Sequence, residues 1–238
     1  MLGPMWLFPL LAAVVAFAFA AALGRQFLDR RRPYQLVWMI ALAMFGLASL
    51  AVVAGVAGGW SRFTFEVYWA LGAVLNVPFL AAGEVLLLFR RQAVLWAVAL
   101  VLIFVTACTL AVLQGADVAA SALGEHLPSG KEVFGEGTAA HSLPRSITIP
   151  SYVVLLVGTG WSAWRMRGRP DLRDRFVGTV LIAVGATVVA AGASFSAAGA
   201  LVGFIATLLA GIVLMFGGFL RAARVPRSVP AARPEPAT

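Results

Sequence analysis

Apolar residues in this chain neither alternate nor fall in narrow stripes. They run in unbroken blocks of about 18 to 23 residues, separated by short polar stretches. A helix rises 1.5 Å per residue and a bilayer core is about 30 Å thick, so each block matches one crossing. The pattern predicts an all-α, polytopic membrane protein with a bundle of seven transmembrane helices. The spans lie at about 4–24, 36–58, 67–89, 93–114, 147–164, 176–193 and 198–220. Span five is the shortest, with Pro150 in its first turn, where a missing N–H is tolerated. Strands are not expected, because the blocks are too long and lack a period of two.

The stretch from Phe176 to Leu220 carries no charge. As one helix it would reach about 67 Å, twice the hydrocarbon core. It must fold back, and the glycine- and serine-containing segment 192–199 is the expected turn.

Arginine placement orients the bundle. With the N-terminus outside and the C-terminus cytoplasmic, 15 of the 18 basic residues fall on the inner side. Only Arg62, Lys131 and Arg145 lie outside. Such asymmetry is the positive-inside signature. Span one could pass for a signal peptide, but its positive charge follows the apolar block instead of preceding it, as in a retained helix. A long outer loop, 115–146, holds Asp117, Glu125, Glu132 and Glu136. Loops of that length are usually functional or disordered. The tail 223–238, basic and proline-rich, is expected to be disordered beside the anionic inner leaflet. Spans one to three and five to seven run in the same direction about span four, which allows a three-plus-one-plus-three parallel repeat.

Composition agrees with this picture. Hydrophobic residues make up 61% and charged residues 12%, against about 45–50% and about 25% in soluble domains. The net charge of +8 would suggest nucleic acid in a soluble protein. Here the arginines flank apolar blocks, so the expected partners are the bilayer and its anionic inner-leaflet lipids, with no nucleic acid. A bacterial cytoplasmic membrane is the expected location. Cys108 is the single cysteine, so no intrachain disulfide forms, and a small buried hydrophobe is its ordinary role.

In lipid, helices associate through small residues and a few hydrogen bonds. Gly178, Gly185 and Gly192 share one seam of span six, and Gly199 and Gly203 open a small-residue face on span seven. Both read as packing faces, and the second could instead pair two copies as a homodimer.

Span three concentrates the unusual residues. Trp69, Gly72, Asn76 and Gly83 share a stripe, Glu84 adjoins it, and Pro78 sits inside the helix. The proline removes a hydrogen bond and frees the carbonyl of Val74, as a kink requires. Glu84 is the only acidic or basic residue well inside a span, about 9 Å from the inner boundary. An intramembrane carboxylate must be protonated, paired or hydrated. It could couple protons or bind a ligand, or form an ion pair with Arg25 or Arg165. Span four aligns Thr106 and Thr109 with Leu113 and Asp117, and span five aligns Ser151, Gly158, Ser162 and Arg165. These stripes read as interhelical hydrogen bonds, or as the wall of a polar cavity open outward.

Several chemistries have no residues to support them. His126 and His141 lie in the outer loop without zinc spacing, and two solvated histidines is the ordinary reading. No histidine or lysine falls inside a span, so neither a membrane haem nor a retinal Schiff base is expected. No catalytic residue, metal or cofactor is assigned, and the chain reads as a non-enzyme. Trp38, Trp60, Tyr68, Trp69, Trp161 and Trp164 read as interfacial anchors. The first functional expectation is a small-solute or ion carrier, or a sensor, built on Glu84, Asn76, Trp69, Thr106 and Thr109 about the Pro78 kink. The alternative is a non-catalytic subunit or assembly partner of a larger membrane complex. An intramembrane lipid-modifying enzyme stands third.

Overall fold

The computed structural model describes residues 5–124, 127–198 and 200–223. Among them the chain is helical and holds no strand. The helices are α1 (Leu7–Arg30), α2 (Pro33–Gly58), α3 (Arg62–Leu88), α4 (Gln92–Gln114), α5 (Gly130–Phe134), α6 (Ala139–Met166), α7 (Arg173–Ala197) and α8 (Leu201–Ala222). All but α5 are long and apolar enough to cross a membrane. Of the expected tail, 223–238, all but Ala223 lies outside the described residues.

Six of these helices close a ring in the order α1, α2, α3, α6, α7, α8 and back to α1, and α4 packs on its outside against α3. The ring sets the triplets α1–α3 and α6–α8 edge to edge, the arrangement a three-plus-one-plus-three repeat would take. Because α4 stands apart, Trp96, Leu100, Ile103 and Phe104 point away from the protein. Its buried residues are Leu102, Thr109 and Leu113.

Glycines set the tightest contact. A Cβ on Gly178 would lie 2.5 Å from the carbonyl oxygen of Gly218, and one on Gly185 would lie 2.6 Å from that of Gly211. Gly192 faces Thr207, and Gly203 faces the Phe195 ring. The seam is therefore consumed between α7 and α8 of one chain, so a second copy would need another surface. Gly199 lies outside the described residues. The turn is also shorter than the expected 192–199: α7 continues to Ala197 and keeps Gly192 within the helix.

One boundary differs. Span five was expected to begin near Ile147, yet α6 begins at Ala139, where the Thr138 hydroxyl accepts from the amide of His141. Pro150 thus sits mid-helix. A wide π-helical segment, Pro144–Thr148, precedes it, as Tyr68–Leu75 precedes Pro78 in α3. A π segment shifts the carbonyl register by one residue per turn, which suits the backbone to a proline that cannot donate.

The outer loop is not an open connection. It carries a 3-10 turn (Ala120–Leu123) and α5, and it buries Leu123, Val133 and Phe134 against the bundle. Ser129 caps α5 through a reciprocal pair of bonds with Glu132. Lys131 reaches Glu136 at 2.9 Å, and its hydrogen bond and charge hold that exposed carboxyl below the usual range. His141 is half-buried within α6, and its Nδ1 has no partner, so it is not a solvated loop histidine. Glu125 and His126 lie outside the described residues.

The loop seats on aromatic rings. Trp60, Phe65, Tyr68, Trp69, Phe134 and Phe204 pack with centroids 5.6–6.0 Å apart. Trp60, Tyr68 and Trp69 are buried here and are not interfacial anchors, whereas Trp161 and Trp164 remain exposed. Gly130 lies so close to the Trp69 ring that an added methyl would overlap it. Gly130→Ala should cost about 1–3 kcal/mol by overpacking. Gly124→Ala, whose methyl would meet only the Ser121 carbonyl at 3.7 Å, serves as its control. Thermal unfolding of both variants in one detergent checks this, and equal midpoints would refute it.

Candidate functional site

The candidate residues separate along α3. Asn76 and Glu84 are eight residues apart on one helix, hence about 12 Å along its axis. Asn76 is buried, and its Nδ2 donates to the carbonyl of Ala41 in α2 at 2.7 Å. Trp69 Nε1 donates to the carbonyl of Ala140 at 3.1 Å. Both side chains tie helices together through these bonds. The Thr148 hydroxyl reaches the carbonyls of Ala73 at 2.8 Å and Val74 at 3.3 Å, so the backbone near Pro78 is satisfied across helices.

Thr109 is buried and donates within its own helix to Val105 at 2.8 Å. Thr106 is half-buried. The α3–α4 hairpin turns near Arg90, which sets Thr106 about 15 Å from Glu84 along the axis. Neither threonine joins Glu84. Among the described residues the aromatic cluster and the folded loop pack together at this end.

Glu84 is the residue that remains. It is 3% exposed. Its Oε1 accepts from the Ser162 hydroxyl of α6 at 3.1 Å. Gly158, one turn earlier, has no side chain because Glu84 Cγ occupies that place, 2.5 Å from where a Cβ would stand. The Gly158–Ser162 stripe is thus the seat of the carboxyl. The expected ion pair is not made: among the described residues no arginine lies within pairing distance of Glu84.

Ser162 also lines a cleft of 890 Å³ at the arginine-rich end of the ring. Its charged wall is Arg30, Arg32, Arg90, Arg165, Arg169 and Arg175, drawn from the segments joining or ending six of the helices. Among the described residues no carboxylate lines it. Among the described residues none of the six is paired; Asp174 is held at 3.1 Å by Arg221, which is not part of the wall. Gln26 and Tyr34 supply neutral polar groups. Buried Gln35 donates to Gln26 Oε1 at 3.3 Å, which leaves the Gln26 amide hydrogens for the cleft. Trp38 is fixed by a bond from Nε1 to the Leu80 carbonyl at 3.0 Å and packs over Gly83.

A wall of guanidinium groups without counter-charge suits an anion, since each presents a fork of donors to carboxylate or phosphate oxygens. Among the described residues no cluster of three or more metal-ligating side chains occurs. No family model, curated protein or solved structure matches the chain. The arginines were visible in the sequence as orientation signals, but their convergence was not. Gln26 and Gln35, which flank the Arg30–Arg32 cluster, were the signal available for it.

Proposed function

We propose that this chain is a multi-pass membrane protein that binds a small anionic molecule in the arginine-lined cleft and moves it with a proton carried by Glu84. The positive-inside rule assigns the cleft to the cytoplasmic face. One observation carries the reading: Ser162 belongs to the wall of the cleft and also holds the only carboxyl buried within the bundle among the described residues. An intramembrane acid beside a polar cavity is the usual arrangement of a proton-coupled site. An anion drawn into the cleft would approach Glu84, and protonation would remove the repulsion between them.

The test is flux in proteoliposomes. Phosphate, sulfate, glycerol phosphate and a fluorescent short-chain phosphatidylglycerol are offered, with a trapped pH dye as readout. The wild type should move at least one of them together with protons, and Glu84→Gln should not. Absence of flux with every probe would remove the carrier reading.

A second reading is an assembly subunit. It is favoured by α4, whose outward face (Trp96, Leu100, Ile103, Phe104) makes no contribution to the ring. Purification in mild detergent separates the two, because a stoichiometric partner bound over α4 would support the subunit.

A further inference from the structure

The cleft is layered, and the layering bears on its ligand. On α1 the wall runs from Leu23 through Gln26 to Arg30, and on α7 from Ile182 through Thr179 to Arg175. Each run covers seven residues, or about 10 Å. On α3, Leu87 and Leu88 precede Arg90, and on α8 Phe219 lies a turn inside Ala222. Every contributing helix therefore places apolar or neutral groups deep and, where it has them, arginines at the rim. A bare inorganic ion would use the rim and leave the apolar floor unmatched.

We infer that the ligand of this cleft is an amphiphile bearing a phosphate with net negative charge, the headgroup and glycerol base of an anionic phospholipid. This assignment rests on the reading of the cleft as the binding site. Six guanidinium groups without a carboxylate among them favour a phosphate over a zwitterion. The volume, 890 Å³, holds far more than one phosphate and falls in the range of small-molecule sites. Basic pockets between membrane helices on the cytoplasmic side are where such headgroups are bound. Trp161 and Trp164, exposed on α6 next to Ser162 and Arg165, offer the interfacial belt beside which a lipid would stand.

The full-length protein in detergent is titrated with three probes: a short-chain phosphatidylglycerol, phosphatidylcholine with the same chains, and inorganic phosphate. Phosphatidylglycerol should bind roughly tenfold or more tighter than either of the others. An arginine near a headgroup contributes roughly fivefold, so Arg30→Gln/Arg165→Gln/Arg175→Gln together should weaken it by about a hundredfold. Arg62→Gln, at the opposite end and paired with Glu66, should leave it unchanged. If the triple variant does not fold, Arg165→Lys replaces it: the charge stays, the fork is lost, and binding should fall several-fold. Inorganic phosphate binding as tightly as phosphatidylglycerol would overturn the lipid source and assign a soluble phosphate. Equal binding of phosphatidylcholine, or equal loss in Arg62→Gln, would overturn the site. Glu84→Gln removes the repulsion and should bind phosphatidylglycerol at least as tightly as wild type while losing proton coupling, so failure of this assignment and failure of proton coupling are read separately.

Discussion

Gly185→Leu is expected to cost about 3 kcal/mol, the upper end of overpacking penalties and a large share of a typical folding free energy of about 5–15 kcal/mol. A Cβ at this position would stand 2.6 Å from the Gly211 carbonyl oxygen, 2.7 Å from Met215 Cγ and 2.9 Å from the Met215 nitrogen. Two of the three are backbone atoms of α8 and cannot rotate away. Relief requires the two helices to separate. In lipid that separation is not opposed by a hydrophobic force, because the tails are as apolar as the side chains; close packing is what holds the pair. Gly217 is the control, since nothing lies within 4 Å of its added Cβ. Gly217→Leu should stay within roughly 0.5 kcal/mol of wild type. Thermal unfolding of both in one detergent decides the matter, and equal losses would show that the α7–α8 seam is not the reason for these glycines.

Glu84→Gln should cut proton-linked flux by roughly tenfold or more while leaving the fold intact. Glutamine keeps the length of glutamate and keeps an oxygen that can accept from Ser162, so the contact with α6 survives. It also fits the space that Gly158 leaves open. What it lacks is the ability to gain and lose a proton. Ser162→Ala makes the reverse change: the titratable group stays and its donor goes, so flux should persist with an altered pH profile. A Glu84→Gln protein with wild-type flux would show that the carboxyl only packs α3 against α6.

Much of the fold could be read from the chain. Length of apolar block and arginine position sufficed for seven helices and for the end on which the arginines gather, because those properties depend on local composition alone. The ring order could not be read, since apolar helices carry little information about which neighbour they meet. The packing of the loop could not be read for a related reason: Leu123, Val133 and Phe134 are too widely spaced to signal burial until Trp69 and Phe65 are known to lie beneath them. Asn76 and Trp69 looked like ligands because polar groups inside a span are rare. A buried donor is as well satisfied by a neighbouring backbone carbonyl, and that is where both are directed. Glu84 was singled out correctly as unusual, but its partner is a serine instead of an arginine.

The central claim is that water reaches from the cytoplasmic face down to Ser162, beside Glu84. Cys108 is the single cysteine, so Cys108→Ser gives a background in which Ser162→Cys is the only thiol. A membrane-impermeant maleimide should modify that thiol in inside-out vesicles and not in right-side-out vesicles, while Asn76→Cys should remain unmodified in both. Labelling of Ser162→Cys from the outer face, or no labelling from either, would contradict the account.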